Sequence, residues 1–344
     1  MTNATISPAS WDSLMAVVEL LADGRVCSGE FLGARLGVSR TAVWKQLKKL
    51  EGIGLVVESI RGAGYRLQHP LDLLDADTML ASEPGLDDSG IDIHLLPVVD
   101  STNTWAAQRL RDERVPPSGV VLCAAEMQLA GRGRRGRQWV SPFASNLYFS
   151  LGMQSGQGIA LFEGLSLAVG AVIHRFLTEL GFSGLGLKWP NDILFNGRKL
   201  AGILIEIDGD LAGNCNLVVG VGINCAMGRL DKSAYEQIDQ PWVDLNTLAV
   251  SQGLQLPSRS QLLAGLALRV GCLMQEFPAI GFAGFKAAWA GADCFLGRAV
   301  VVKTGAEEHV GISRGVDQSG ALQVEIDGVI RLFSGGEVSL RSQS

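Results

Sequence analysis

The 344-residue sequence lacks the patterns that mark several common classes of protein. Its six cysteines are scattered without a C-x-x-C pair, which argues against a zinc site and for reduced thiols. No G-x-x-x-x-G-K-[ST] motif is present, so a P-loop is not indicated. The four histidines are isolated, and no Ser/His/Asp or Cys/His pattern suggests a covalent nucleophile.

Signals for secretion and for membrane insertion are equally weak. Residues 1–10 have neither a basic start nor an apolar core, as a secretory signal would. The longest apolar stretch, Ile159–Leu180, is interrupted by charged residues, which predicts a buried helix and not a membrane span. We therefore expect a cytoplasmic protein without a membrane partner, built from roughly two or three domains at this length.

Positive charge is concentrated in one short segment of an otherwise acidic chain, whose formal net charge is −6. Residues 131–137 read Gly-Arg-Gly-Arg-Arg-Gly-Arg, and apolar runs lie on both sides. Arginine stays protonated and glycine exposes backbone N–H groups, so this arginine loop suits polyanions such as phosphates. A disordered RNA-binding tract would be longer and repetitive, and a solvated surface loop is the remaining alternative.

The first 70 residues predict a DNA-binding module. Between residues 24 and 70, eight basic residues stand against three acidic ones. A short helix, a glycine turn at Gly37 and a third helix capped by Ser39 form a helix-turn-helix pattern, and a hairpin with Arg61 beside its tip follows as a wing. In the third helix Val43, Leu47 and Leu50 recur at i, i+4 and i+7 and are expected to face inward, so at 100° per residue the opposite face points outward. The residues expected on DNA are Ser39, Arg40, Thr41, Trp44, Lys45, Lys48 and Arg61. A winged helix that mediates only protein contacts is the alternative.

The rest of the chain divides into two further regions. After a linker from about residue 71 to residue 90, strand-like and helical runs alternate to about Phe285, as in a mixed α+β domain. From about Gly291, short strands and frequent turns predict a small β-barrel or SH3-like fold. The predicted domains are 1–70, 78–285 and 291–344.

Three polar segments of the middle region accompany the arginine loop. Asp100–Asn103 lies between a strand and a helix, Lys188–Asp192 follows a strand, and the Asn196–Gly197 turn folds Lys199 back near Asp192. Each segment alone has a structural explanation, such as a helix cap or a strand end. Together they indicate one site.

These motifs give the sequence its resemblance to a known family. It resembles the bacterial biotin protein ligases that are also repressors of the biotin operon, from about Leu14 to Arg341. The matching segments are Asp100–Asn103, Glu126–Ala130 with the arginine loop, Trp139–Pro142, Asn146–Tyr148, Lys188–Asp192, Lys199–Ile203, Gly222–Asn224, Gly311–Gly315 and Gly335–Glu337.

The resemblance implies a multidomain α+β fold and a set of site residues. The fold would comprise a winged helix-turn-helix, a central domain like the class II aminoacyl-tRNA synthetases, and an SH3-like C-terminal domain. The biotin-binding residues it implies are Ser101, Thr102, Asn103, Gln128, Arg132, Gly133, Arg134 and Lys199. Those implied for ATP and the adenylate are Arg134, Arg135, Lys188, Asn191, Asn224 and Trp242.

The implied chemistry joins two anions. Biotin would react with ATP to give biotinyl-5′-AMP, which needs preorganised cations and no nucleophile from the protein. The residues expected to be catalytic are Arg132, Arg134, Lys188, Asp192 and Lys199. Mg²⁺ would arrive on the ATP phosphates and not in a protein cage. Biotin would then pass to a lysine of the biotin carboxyl carrier protein.

The resemblance also implies regulation. Bound biotinyl-5′-AMP would order the arginine loop and favour a homodimer that binds the operator of the biotin genes. Three alternatives stay open: a biotin-sensing repressor without ligase activity, a ligase that no longer reads an operator, and a lipoate or octanoyl ligase on the same fold.

Overall fold

The computed structural model describes residues 8–112, 119–229, 235–304, 307–334 and 338–342. The motif Gly335–Glu337 therefore lies outside the described residues. Three regions follow one another in the predicted order, and the domain boundaries drawn at residues 78 and 291 stay predictions.

The N-terminal region is a three-helix unit with a hairpin. Its helices are α1 (Pro8–Leu21), α2 (Gly29–Leu36) and α3 (Arg40–Glu51). The hydroxyls of Ser28 and Ser39 cap α2 and α3, and Gly37 ends α2 at a φ of 66°. The predicted inward face of α3 is confirmed, since its buried side chains are Val43, Leu47 and Leu50.

The predicted wing is also present. Strands β1 (Val57–Ile60) and β2 (Gly64–Leu67) pair in an antiparallel hairpin whose turn holds Arg61. Two backbone hydrogen bonds between Cys27 and Tyr65, of 2.8 and 2.9 Å, attach the hairpin to the start of the helix-turn-helix.

The segment from 71 to 90, expected as a linker, is structured. It contains α4 (Ala76–Ser82) and a 3₁₀ turn (Pro84–Leu86), whose Met79 and Leu86 are buried in the core of the central region. Burial of these apolar side chains explains why the segment folds onto the central region despite its turn-forming composition.

A seven-stranded sheet forms the central region. Its order is β3-β4-β5-β9-β8-β7-β6, and only the β3–β4 pair is parallel. Helix α5 (Thr102–Arg111) packs on one face, with Ala106 and Leu110 against Val121 and Val218. The strands are β3 (Ile91–Val99), β4 (Val120–Gln128), β5 (Asn146–Ser155), β6 (Leu185–Lys188), β7 (Asp192–Phe195), β8 (Arg198–Gly209) and β9 (Cys215–Asn224).

Helices on the other face complete the core. They are α6 (Leu165–Glu179), α7 (Leu245–Gln252), α8 (Arg259–Ile280) and α9 (Lys286–Ala292). The single helix expected over 159–180 is divided, because Gly164 adopts a φ of 78° between a 3₁₀ turn and α6. By length and composition, Ile159–Glu179 and Arg259–Ile280 could each cross a membrane. However, both pack most of their apolar side chains into this core, as core helices of globular proteins do.

The C-terminal region is an antiparallel sheet that shares this core. Its order is β13-β12-β11-β10-β14, and Val300, Leu322 and Phe333 belong to the same buried cluster as Leu187. The buried Trp189 donates from Nε1 to the carbonyl of Gly320 at 3.0 Å, so this region touches the Lys188–Asp192 segment. The strands are β10 (Ala299–Thr304), β11 (Glu307–Val316), β12 (Leu322–Ile326), β13 (Val329–Phe333) and β14 (Val338–Ser342).

Candidate active site

One cavity of about 370 Å³ lies where the arginine loop covers the ends of β4, β6 and β9. Every residue predicted for biotin, ATP or catalysis lines it, although the sequence separates them by up to 141 positions, from Ser101 to Trp242. These lining residues are Ser101, Thr102, Asn103, Gln128, Arg132, Gly133, Arg134, Arg135, Lys188, Asn191, Asp192, Lys199, Asn224 and Trp242.

The arginine loop is a short closed turn. Gly133 N–H donates to the carbonyl of Arg137 at 2.7 Å, and Arg135 and Gly136 adopt φ values of 57° and 72°. At Gly131 a Cβ atom would lie 2.5 Å from the carbonyl oxygen of Trp139, so a side chain is excluded there. Glycines thus let the loop fold back tightly while its arginines project around the cavity.

Lys199 and Asp192 form an ion pair at the centre of the site. Their Nζ and Oδ1 atoms are 2.8 Å apart, with 15% and 13% of the side chains exposed. The hairpin at Asn196–Gly197 brings them together, as predicted. Lys199 Nζ also lies 5.3 Å from the ring centroid of Trp139, a cation–π contact. The lysine is therefore held in place before any ligand binds.

The surroundings of two other cations in the site, Lys188 and Arg134, disfavour their charged forms. Burial lowers the pKa of Lys188, and nearby Lys199 and Arg137 lower it further, while Asp192 opposes them. Burial and the neighbouring Arg135 and Arg137 likewise lower the pKa of Arg134. Desolvated like charges repel, so an anion entering this part of the cavity would relieve the repulsion.

Another part of the cavity lining, the uncharged wall, is a hydrogen-bonded polar cluster around Thr102 and Gln128. Thr102 N–H donates to Gln128 Oε1 at 2.9 Å, and Gln128 Nε2 donates to Ser141 Oγ at 3.1 Å. Asn103 Nδ2 donates to Glu206 at 2.8 Å. Thr102 and Asn103 are buried in the first turn of α5, which begins earlier than the sequence indicated. Fixed donors and acceptors of this kind suit a polar, uncharged ligand group.

Glycines on β8 and β9 form the floor. Gly202 pairs with Gly222, and a Cβ atom at either position would lie 2.9 or 2.5 Å from the Trp139 ring. At Gly220 a Cβ atom would lie 1.9 Å from Asn103 Oδ1. Neither this floor nor the role of Trp139 follows from the sequence motifs. The alternate glycines at 220 and 222 were the available signal, because glycine within a strand often marks close approach.

The segment around Trp242, which the resemblance implies for ATP and the adenylate, is held by backbone hydrogen bonds. Lys199 N–H donates to Pro241 O at 2.9 Å and Val243 N–H donates to Lys199 O at 3.0 Å, which places Trp242 beside the lysine. The Trp242 and Tyr235 rings make a T-shaped contact, with their centroids 5.0 Å apart. Asn224 Nδ2 lies 3.2 and 3.1 Å from the carbonyls of Lys199 and Val243. Asn224 thus holds these segments together, a role the sequence did not reveal.

Asn191 links the arginine loop to the sheet. Its Nδ2 donates to Ile203 O at 2.8 Å, and its Oδ1 accepts from Arg134 Nη1 at 3.4 Å. Arg132, by contrast, reaches across the cavity entrance to Thr104 and Glu206, at 3.1 and 3.2 Å.

The second predicted surface lies on α3, away from this cavity. Arg40, Thr41, Lys45 and Lys48 are exposed, and 52% of Trp44 is accessible. Lys48 pairs with Glu51 at 2.9 Å within the helix. Ser39 is occupied as the helix cap through Ala42 N–H, and the remaining predicted residue, Arg61, is exposed at the wing turn.

Carboxylates suited to a metal are sparse in the cavity. Among the lining residues that the structure describes, the acidic ones are Asp192, paired with Lys199, and the exposed Asp239. Across the described ranges, no group of three His, Cys, Asp or Glu side chains could hold a metal ion. This donor set fits Mg²⁺ only as an ion carried largely by phosphate oxygens and water.

Comparison with known proteins covers all three regions. Residues 95–224 match the Biotin/lipoate A/B protein ligase family, residues 14–66 an HTH domain, and residues 295–341 the Biotin protein ligase C terminal domain. The Bifunctional ligase/repressor BirA of Salmonella typhimurium is 42% identical over 95% of this chain and 97% of its own length. The Escherichia coli protein of the same name is 41% identical over the same shares.

A solved structure also resembles this chain. The biotin protein ligase from Aquifex aeolicus in complex with biotin and ATP aligns with a TM-score of 0.58 and 27% identity, covering 73% of this chain and 99% of that one. Fold and site together define a ligase that carries a DNA-binding helix-turn-helix domain. The chain belongs to the family of bifunctional biotin ligase/repressor proteins, and its enzymatic activity is biotin protein ligation.

Proposed function

We propose that the cavity forms biotinyl-5′-AMP from biotin and ATP. The observation that carries this assignment is a single cavity with uncharged polar groups on one wall and Arg134, Lys188 and Lys199 on the other. The first wall suits the ureido ring of biotin. The second suits a carboxylate and a phosphate, which must be brought together despite their like charge.

In the first step an oxygen of the biotin carboxylate attacks the α-phosphorus of ATP. The bond from that phosphorus to the bridging oxygen breaks, and pyrophosphate leaves. Lys199, held 2.8 Å from Asp192, and the arginine loop stabilise negative charge that grows on the phosphoryl oxygens. Mg²⁺ brought by ATP supplies further charge neutralisation on the phosphates.

In the second step the amine of an acceptor lysine attacks the carbonyl carbon of the adenylate, and AMP leaves with the bonding pair. The amine must first lose a proton from its ammonium form. Asp192 orients Lys199 and is the candidate to receive that proton. The proposed acceptor is the biotin carboxyl carrier protein of acetyl-CoA carboxylase, since the chain is 34% identical over 242 residues to the Biotin--[acetyl-CoA-carboxylase] ligase of Paracoccus denitrificans.

The experiment that tests the ligand is exchange of labelled pyrophosphate into ATP, run separately with biotin and with lipoate. We expect exchange with biotin only. Exchange with lipoate alone would instead support a lipoate ligase, since the matching Biotin/lipoate A/B protein ligase family includes both kinds.

We further propose that the exposed face of α3 reads the operator of the biotin genes in a cytoplasmic, adenylate-dependent homodimer. A dimer would present two winged helices to a two-fold operator. Sedimentation with and without biotin and ATP tests this step, and a monomer under both conditions would contradict it.

We also propose that the central domain is like the class II aminoacyl-tRNA synthetases and that the C-terminal domain is SH3-like. Five antiparallel strand pairings against one parallel pairing in the central sheet support a synthetase-like domain, and a five-stranded antiparallel sheet supports an SH3-like C-terminal domain.

A further inference from the structure

A hydrogen-bonded chain of side chains lies behind the uncharged wall of the cavity, buried at Thr102, Asn103 and Ser150 and 40% exposed at Glu206. Ser150, on β5, is fully buried and does not line the cavity. Its Oγ lies 2.7 Å from Thr102 Oγ1 and 2.6 Å from Asn103 Oδ1. Asn103 continues the chain through Nδ2 to Glu206 Oε2 at 2.8 Å.

The direction of every hydrogen bond in this chain follows from its end. An ionised carboxylate only accepts, so Glu206 must receive a proton from Asn103 Nδ2, which also donates to Leu204 O at 3.3 Å. Asn103 Oδ1 is then the acceptor on the other side, and Ser150 must donate to it. The single Ser150 proton is used there, so the 2.7 Å contact requires Thr102 to donate to Ser150.

The alternative arrangement, in which Thr102 donates to Gln128 and not to Ser150, has a higher free energy. If Thr102 donated instead to Gln128 Oε1 at 3.2 Å, Ser150 would face two acceptors at 2.6 and 2.7 Å with one proton. One of those short contacts would then join two lone pairs in a buried site. Gln128 Oε1 is already satisfied by Thr102 N–H at 2.9 Å.

Two features keep the chain in this state. Arg132 Nη2 lies 3.2 Å from Glu206, an ion pair that holds the carboxylate beside Asn103. Gly220, paired with Ser150 across the β5–β9 ladder, leaves room for the Asn103 carboxamide, since a Cβ atom there would lie 1.9 Å from Oδ1.

We infer that Ser150 and Glu206 are positioning residues that determine specificity, because they turn the Thr102 hydroxyl into an acceptor toward the cavity. A ligand must therefore present an N–H to Thr102, as a cyclic urea does. The inference rests on the proposed function and deepens it, since it explains how the uncharged wall selects a ureido ring.

The test compares biotin with its two cyclic carbamate analogues, in which one or the other ring N–H is replaced by oxygen. This replacement adds no bulk but puts a lone pair where the proton was. One of the two analogues carries its oxygen at the ring position that faces Thr102. We expect the wild-type chain to prefer biotin over that analogue by roughly 10- to 100-fold in kcat/KM, the range of one hydrogen bond in a buried site.

In Ser150→Ala the Thr102 hydroxyl loses its acceptor and can turn to donate to the ring oxygen. In Glu206→Gln the new amide can donate to Asn103, so the chain can reverse if the Asn103 amide turns over and gives up its 3.3 Å bond to Leu204 O. Both variants should reduce the preference for biotin to within about threefold. The Arg132 contact is lost only in Glu206→Gln, so agreement between the variants assigns the effect to the chain.

The matched control is Asp208→Asn, which makes the same charge change two residues along β8, where the side chain is 72% exposed and pairs with Arg111 at 3.5 Å. It should keep the wild-type preference. If biotin and the analogues lose kcat/KM by the same factor in both test variants, the inference is overturned. Absence of biotin-dependent exchange in the wild-type chain would instead defeat the proposed function itself.

Discussion

The two cation-rich surfaces of this protein are built in opposite ways. On α3, Arg40, Lys45 and Lys48 stand exposed on one helix face. In the active-site cavity, Lys188, Lys199 and Arg134 come from three separate segments and are largely enclosed. Solvent screens the first set, whereas burial and mutual repulsion act on the second.

The difference predicts different functional consequences. An exposed cation adds a modest, salt-dependent increment to the binding of a polyanion. A preorganised cation in an enclosed site acts on the charge that develops during reaction, where it contributes far more.

Removing the central lysine should have the greatest effect. Lys199→Met keeps most of the side-chain volume but removes the charge next to Asp192. We expect biotin-dependent pyrophosphate exchange to fall roughly 10²- to 10³-fold, as when one electrostatic stabiliser is lost. Lys303→Met, at a lysine paired with Glu308 on the C-terminal sheet, is the control and should retain full exchange. A loss below tenfold for Lys199→Met would place the lysine outside the chemistry.

Opening the arginine loop should have the next largest effect. Arg134→Ala removes the contact with Asn191 and one cation facing the phosphate. Adenylate should dissociate roughly 10- to 100-fold faster, the range of a charge-assisted hydrogen bond. A stopped-flow chase of the preformed adenylate measures this rate. An unchanged rate would show that the loop is only a solvated surface.

Neutralising the α3 face should affect DNA binding alone. Arg40→Ala combined with Lys45→Ala should lower the slope of log affinity against log salt for duplex DNA by about 2, since each phosphate contact contributes about 0.9. Fluorescence anisotropy at several salt concentrations gives the slope, and pyrophosphate exchange should be unchanged. Arg175→Ala, an exposed arginine on α6 paired with Glu179, is the matched control. An unaltered slope in the double variant would mean that α3 does not contact phosphates.

The smallest effect concerns pH. Because burial and neighbouring cations lower the pKa of Lys188, its positive charge is present below that lowered pKa and is lost as pH rises through it. ATP binding should therefore weaken at a lower pH than an ordinary lysine would permit. Lys188→Arg keeps its charge and should move the rise in KM for ATP to higher pH. Identical pH profiles for the two proteins would exclude Lys188 as the titrating group.

The sequence predicted the exposed face of α3 more completely than it predicted the contacts inside the cavity. The outward face of α3 followed from apolar residues at 43, 47 and 50, because helical periodicity is a local property. The proximity of Lys199 to Asp192 also followed locally, from the Asn196–Gly197 turn. The cavity residues came from recognisable motifs, but their contacts did not. Nothing adjacent to Glu206 indicates that it meets both Asn103 and Arg132.

Structure in the segment from 71 to 90 was missed for the same reason. Its anchors are distant: Leu74 N–H donates to Glu126 at 2.7 Å, and Asp72 accepts from the Arg259 backbone at 2.6 Å. Arg259 and Glu126 form a buried pair at 2.7 Å, with 4% and 6% of the side chains exposed. A chain that appears to be a linker becomes ordered when residues far along the sequence satisfy its polar groups.

By itself, the sequence determined the order of the three regions, the basic helix face, the tight turns and the kinds of residue that handle anions. These depend on interactions within a few positions of one another. Only the tertiary structure decided which strands lie side by side, and so which glycines make room for Trp139 and Asn103 and which carboxylate directs the hydrogen bonds behind Thr102. Sheet register and burial couple residues from 47 to 187 positions apart, and no local pattern carries that information.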